Sequence, residues 1–141
     1  MCCGVSFLIF AQAPEPRVDP AALVRNATRH FRADVEILEE GAGTLRLKLG
    51  DASFALHARP RSEADLQRAR QAETRGRAAG MADLAARCPT VWEVEPEPGT
   101  AEGALHRLCA VLAITALGPV LPPDDSTLYG VRGALERAQK A

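Results

Sequence analysis

Residues 44–58 read TLRLKLGDASFALHA, and this stretch predicts the β-hairpin around which the fold is built. Apolar residues occupy alternate positions on both sides of a Gly-Asp dipeptide, which favours a two-residue turn between antiparallel strands. The turn places Leu47 opposite Phe54 and Leu45 opposite Leu56. These four side chains therefore share one apolar face, and the polar residues between them face the other way.

A second turn adds another strand to the hairpin. Residues 41–43, Gly-Ala-Gly, predict a three-residue loop that sets Ile37 beside Leu47 and Val35 beside Leu49. The two turns are independent features of the sequence, and both predict the same apolar face.

The apolar segment at residues 5–10, VSFLIF, predicts a strand buried on both faces. An export signal is one alternative, but residues 1–10 contain no Lys or Arg, which a signal peptide carries at its start. Cys2 and Cys3 lack the sequence pattern of a double lipid anchor, and adjacent cysteines form a strained disulfide. We expect a strand in the middle of the sheet, and whether Cys2 and Cys3 are modified stays open.

Capping residues mark the starts of the first two helices. Asp19, followed by a proline, predicts a helix over residues 20–32. Ser62 with Asp65 predicts a capping box and a second helix. That helix carries small residues at three- and four-residue spacing, which predict a close packing partner or a break near 76–80: Ala69, Ala72, Gly76 and Ala79 or Gly80.

The remaining elements complete a single domain spanning residues 1–141. Residues 90–94 predict a strand, Thr100 an N-cap for a strongly apolar helix, and residues 128–138 a last helix. The predicted order is β-α-β-β-β-α-β-α-α. We interpret it as an α/β (α+β) two-layer sandwich with a mixed five-stranded sheet.

Two segments of the chain resemble each other without gaps. PEPRVDPAALVR at residues 14–25 is similar to PEPGTAEGALHR at residues 96–107, and each follows a predicted strand. Duplication and chance are equally open as explanations. If the similarity reflects duplication, the two strands run parallel and both PEP loops lie at one edge of the sheet, where open α/β sheets bind ligands. That edge would carry Glu15, Arg17, Glu93, Glu95 and Glu97.

Few residues carry a pattern typical of catalysis. At the PEP loops Glu93, Glu95 or Glu97 would serve as an acid or a base, and on the following helix His106 lies three residues before Cys109. A buried, inert cysteine and a solvated histidine are the simpler interpretation of that pair. No metal-binding, phosphate-binding or dinucleotide-binding motif is present in the sequence, so we predict no cofactor and no metal.

Composition limits the class of protein further. No apolar run reaches the length of a membrane span, so the sequence predicts a soluble protein without a membrane partner. A net charge of −1 argues against nucleic-acid binding. Four cysteines without regular spacing predict free thiols and a cytoplasmic location. Fifteen arginines against two lysines indicate a GC-rich genome and a bacterial source.

Charge is unevenly distributed along the chain. Residues 59–77 carry a net charge of +3, whereas residues 34–40 and residues 93–102 each carry −4. Such segregation favours recognition of a charged protein surface. The leading hypothesis is therefore a non-enzymatic protein-interaction module, such as an adaptor, an immunity-type protein or an accessory factor. Its partner is another protein, and the basic run at residues 59–77 would suit an acidic one. A homodimer, RNA binding through the arginines, and a small enzyme at the PEP loops are the alternatives. The residues predicted to contact the partner are Arg68, Arg70, Arg75, Arg77, Glu15 and Arg17.

Overall fold

The structure is a computed structural model that describes residues 6–140, and these form one sheet flanked by helices. The predictions about Cys2, Cys3 and Val5 concern residues outside this described part. In chain order the elements are β1 (Phe7–Ala11), α1 (Pro20–Phe31), β2 (Val35–Gly41), β3 (Thr44–Leu49), β4 (Ala52–Pro60), α2 (Glu63–Gly76), α3 (Met81–Ala86), β5 (Thr90–Pro96), α4 (Glu102–Ala116), β6 (Val120–Leu121) and α5 (Val131–Lys140).

The sheet has six strands in the order β2-β3-β4-β5-β1-β6. Every neighbouring pair among residues 6–140 is antiparallel, so the predicted mixed, five-stranded sheet is wrong in both strand number and direction. The sixth strand, Val120–Leu121, was missed because two residues in a proline-rich loop show no periodicity. The prediction of a mixed sheet depended on β1 and β5 being parallel. In the structure they are antiparallel, and Ala11 at the end of β1 pairs with Thr90 at the start of β5.

The predicted hairpin registers are confirmed. Leu47 pairs with Phe54 across the first turn, and Ile37 pairs with Leu47 across the second. The second loop is shorter than predicted, since Gly41 already pairs with Thr44, and a bulge between Ile37 and Glu39 restores the predicted register.

The inner face of the sheet is covered by α1, α4 and α5. Its buried side chains include those that the hairpin pattern predicted, together with Trp92. Asp19 caps α1 as predicted, since its carboxylate accepts a hydrogen bond from the Ala21 amide at 3.0 Å. Asn26 of α1 donates to the Thr115 hydroxyl of α4 at 2.9 Å and so fastens the two helices to each other.

The outer face is covered on one half only. Leu8, Phe10 and Val91 form a second core with Leu66 and with other small or apolar residues of α2 and α3. The two-layer description therefore fits only the β2–β4 half, and the β1–β5–β6 half has helices on both faces.

The small-residue stripe on α2 packs closely, as the sequence predicts. Ala69 and Ala72 are fully buried, and a Cβ on Gly76 would lie 2.0 Å from Oγ1 of Thr127. The predicted break follows Gly76, where α2 ends. No helix among residues 6–140 has both the length and the apolar character needed to cross a membrane.

Candidate functional site

The two PEP loops lie at opposite ends of the strands. Because β1 and β5 are antiparallel, the loop that follows Ala11 lies beside Thr90, whereas the loop that follows Pro96 leaves from the far end of β5. A strand of seven residues is roughly 20 Å long, which is too far for one shared site. The predicted common edge is therefore wrong, and Glu15 and Arg17 do not meet the glutamates of β5.

The three predicted carboxylates near β5 do not converge on one point. Glu93 lies 3.5 Å from Nε of Arg59, and Glu95 lies 3.6 Å from Nε2 of His57. Both belong to the outer face of the sheet. Glu97 follows the strand, and its backbone amide donates to the Ser53 carbonyl at 3.1 Å.

A cavity of about 560 Å³ lies at the end of β5, beside the loop that contains Glu97. Its polar lining residues are Asp51, Ser53, Glu97, Thr100 and Arg107. The prediction that Thr100 caps α4 is wrong. Its hydroxyl donates to the Glu97 carbonyl at 2.6 Å, and the N-cap residue Ala101 has no side-chain cap.

The predicted pair of His106 and Cys109 does not form a nucleophile and a base. Cys109 is 1% exposed within the leucine-rich inner core, and burial raises the pKa of its thiol far above the usual value. The interpretation of His106 as a solvated histidine is wrong, because its side chain is only 15% exposed. Its Nε2 is 3.5 Å from Glu102, and its ring contacts Phe7 edge to face. A protonated, enclosed thiol cannot act as a nucleophile.

Most arginines of the basic run bind other parts of this chain. Arg59 forms an ion pair with Asp65, and Arg61 donates to the carbonyl of Ala86 at 2.6 Å near the end of α3. Burial alone would raise the pKa of Asp65, but hydrogen bonds from Arg59 and Ser62 together lower it. These side chains stabilise the fold and are not free for a partner.

Two of the four arginines predicted to bind a partner also have an internal acceptor. Arg68 is bidentate to Asp125, with Nη2 2.7 Å from Oδ1 and Nε 3.2 Å from Oδ2. Arg75 donates to the Asp125 carbonyl at 3.3 Å. Asp125 lies 57 residues from Arg68 in the sequence, so no residue near Arg68 predicts this ion pair. Arg70 and Arg77 are exposed.

The acidic residues 34–40, by contrast, lie mainly on the free edge strand β2. Glu36, Glu39 and Glu40 are exposed, and Leu38 between them is 45% exposed at the bulge. Next to this edge lies the half of the outer face that α2 and α3 leave uncovered, which we call the open face. It consists of Glu36, Leu38, Glu39, Thr44, Arg46, Lys48, Ser53, Ala55, His57 and Glu95.

Neither a search for metal-binding clusters among the described residues nor comparison with known proteins identifies a ligand. Among residues 6–140, no three His, Cys, Asp or Glu side chains are grouped as a metal ion requires. Comparison of the chain with protein-family models, with curated proteins and with solved structures finds no match. What the chain does is therefore inferred from its own residues.

Proposed function

We propose that the chain is a cytoplasmic protein-binding module and that its open face is the binding surface. One observation carries this proposal: helices cover the inner face and half of the outer face, whereas the outer surface of β2, β3 and β4 is left to solvent. An antiparallel sheet tolerates one solvated face. Here that face borders a free sheet edge, so the two form one continuous surface.

The charges on the open face suit an exchangeable contact. Arg46 lies 3.4 Å from Glu39, and His57 lies 3.6 Å from Glu95, with all four side chains largely exposed. Exposed ion pairs of this kind contribute about 0–1 kcal/mol each, so a partner can replace them at little cost. Such surface charges favour fast and selective association.

The size of the surface indicates where a partner must also reach. Three strands spaced about 4.8 Å apart and six residues long cover on the order of 300 Å². A stable interface buries about 800 Å² on each partner. We therefore expect a transient complex, or a partner that extends beyond the open face to a neighbouring surface.

Residues with catalytic potential support an enzyme less well. The thiol of Cys109 is enclosed, and the glutamates of β5 and its loop point to different surroundings. A binding role requires no catalytic group.

Site-specific photo-crosslinking in the organism that encodes the chain tests the proposal. A benzophenone amino acid replaces Leu38 or His57 on the open face, and Leu117 serves as the matched control because it is 59% exposed after the end of α4. We expect one discrete adduct from Leu38 and His57, competed away by excess unlabelled protein, and none from Leu117. Equal adducts from all three positions, or none from the open face, would refute the proposal.

Arg70 and Arg77 offer a second surface for an acidic protein partner, as the sequence predicts. Both are exposed on α2 or at its C-cap, whereas Arg68 and Arg75 are held by Asp125. The double variant Arg70→Glu/Arg77→Glu tests this surface without disturbing those contacts. Sedimentation velocity of the wild type and of the same variant tests for a homodimer. If the arginines form a dimer interface, the wild type sediments as a dimer and the variant as a monomer.

The second candidate function is a small enzyme at the cavity beside Glu97. Two carboxylates, a guanidinium and two hydroxyls line this space of about 560 Å³, a volume suited to a small polar substrate. Thermal-shift screening of small charged metabolites would reveal such a ligand. A genuine ligand loses its shift in Glu97→Gln and Arg107→Gln but keeps it in Glu63→Gln, an exposed position on α2.

A further inference from the structure

We propose that β2 is a docking edge for an extended basic segment of a protein partner, which adds to the sheet as a seventh strand. This inference rests on the proposed function, because it names the chemistry of the partner and the place where its main chain binds. It also supplies the neighbouring surface that the small area of the open face requires.

The two edges of the sheet differ in how much backbone they offer. At one edge, β6 has two residues, and Val120 exchanges backbone hydrogen bonds with Tyr129 at 2.7 and 3.1 Å. At the other, β2 has seven residues, and within residues 6–140 no further strand lies beside it. In an antiparallel strand alternate residues direct both N–H and C=O to the same side, so about three or four residues of β2 present both groups outward. Only this edge is long enough to bind an extended segment.

The charge on β2 selects the chemistry of that segment. Residues 34–40 include four acidic residues and no basic one. Arg46 lies 3.4 Å from Glu39 and Arg17 lies 4.0 Å from Glu40, and each pair is largely exposed and therefore weak. An incoming strand with Lys or Arg opposite these glutamates gains cross-strand attraction.

The same charges reject a second copy of the chain. Pairing of β2 with another β2 would place glutamates beside glutamates, and like charges on neighbouring strands are destabilising. Charged edge strands with bulges are a common defence against such self-association. Pairing of β2 with a second copy of β2 is therefore disfavoured, whereas pairing with a basic strand is not.

The bulge in β2 places Leu38 on the outer face of the sheet, next to Glu39. It lies between Ile37 and Glu39 and leaves Leu38 45% exposed. A groove of about 350 Å³ lined by Leu38, Arg46, Ala55 and Pro96 adjoins it. Side chains of an added strand alternate between the two faces. Basic residues beside Glu36 and Glu39 on the outer face therefore place the intervening apolar residues beside the half-buried Val35 and Ile37 on the inner face.

Titration with a synthetic peptide tests the inference. The probe is a nine-residue peptide of alternating lysine and valine, and the control peptide replaces each lysine with glutamate. Two protein variants receive the same change in net charge: Glu36→Lys/Glu39→Lys/Glu40→Lys on β2, and Glu63→Lys/Asp83→Lys/Glu136→Lys on the helices α2, α3 and α5. All six side chains are exposed, so we expect both variants to keep the wild-type circular dichroism spectrum.

We expect the basic peptide to bind the wild type and to slow amide hydrogen exchange at the outward residues of β2. The β2 variant should weaken this binding by about tenfold or more, and the matched variant by less than about threefold. Equal weakening in both variants, binding without slower exchange in β2, equal binding of the acidic peptide, or no binding at all would each overturn the basic-strand inference. If crosslinks at Leu38 and His57 persist in that case, the protein-binding module stands and only its partner chemistry is wrong.

Discussion

The ion pair between Arg68 and Asp125 indicates that Arg68 stabilises the fold, although the sequence predicts that it binds a partner. Arg68 lies on α2 and Asp125 in the loop after β6, so the pair fastens that loop to the helix. Arg70, two residues further along α2, is exposed. We expect Arg68→Glu to destabilise the protein and Arg70→Glu to leave its stability unchanged.

The contact geometry sets the size of the effect. Hydrogen bonds to a charged group contribute about 1.5–3 kcal/mol. The side chains of Arg68 and Asp125 are 33% and 21% exposed, so solvent screening reduces their contribution to about 1–2 kcal/mol. Reversing the charge adds repulsion of about 1 kcal/mol. In a chain of this length the total of about 2–3 kcal/mol lowers Tm by roughly 6–10 °C.

A double-mutant cycle assigns the loss to this pair. The cycle combines Arg68→Ala with Asp125→Asn, because Asp125 has φ of 55° and asparagine tolerates this left-handed conformation better than alanine does. Thermal unfolding of the two single variants and the double variant should give a coupling energy of about 1–2 kcal/mol, which decreases as salt is added. A coupling energy below about 0.3 kcal/mol would refute the interpretation, as would an Arg70→Glu variant that loses as much stability as Arg68→Glu.

Three further predictions concern the core and the buried titratable groups. Gly118→Ala should lower the free energy of unfolding in urea by about 3 kcal/mol, because its Cβ would lie 1.8 Å from the Phe10 carbonyl oxygen. Asp65→Asn should cost about 2 kcal/mol at pH 7. Its effect should shrink in acid, because the folded state lowers the pKa of Asp65: its contribution is complete above the ordinary value of 3.8 and is lost as pH falls through the folded-state value. Cys88 and Cys109 should resist iodoacetamide at pH 7.5 in the native protein and react in urea, since burial raises the pKa of Cys88 to about 11 and that of Cys109 further.

Each of these predictions has a matched control. Gly130→Ala places a Cβ 3.3 Å from Sδ of the flexible Met81 and should cost less than about 1 kcal/mol. Glu63→Gln changes an exposed carboxylate in the same helical turn as Asp65, so its unfolding free energy should follow the wild type from pH 7 to acid. Peptide mapping by mass spectrometry reads the label on each cysteine separately. Native labelling of Cys109, or equal losses in the two glycine variants, would contradict the packing described above.

Features that depend on neighbouring residues could be predicted from the sequence. The pairing of Leu47 with Phe54 follows from a two-residue turn and an alternating pattern, both of which lie within a few residues of the contact. The caps at Asp19 and Ser62 depend on a side chain reaching an amide two or three residues away. Turn and cap chemistry act locally, but local partners compete, since the Thr100 hydroxyl donates to the Glu97 carbonyl and leaves α4 without a side-chain cap.

Features that depend on distant residues could not be predicted. Asp124 accepts a hydrogen bond from the Ser126 amide two residues further along, which is a local turn contact. Asp125 instead binds Arg68, because the loop after β6 runs across α2 and Thr127 rests against Gly76. The path of that loop follows from packing between elements, and no residue near Arg68 in the sequence indicates it.

The antiparallel direction of β5 also explains why the candidate site moved from the loops to the sheet. The helices α1 and α4 both cover the inner face, although the strands that precede their PEP segments are antiparallel. Strand direction is set elsewhere: α2 and α3 return the chain to the end of β4 that it had left, so Pro60 pairs with Thr90. Antiparallel strands bring successive loops to opposite ends of the sheet, so the loops that follow β1 and β5 are far apart. Residues from distant parts of this chain meet instead across the faces of neighbouring strands, which is where Glu39, Arg46, His57 and Glu95 converge beside the free edge of β2.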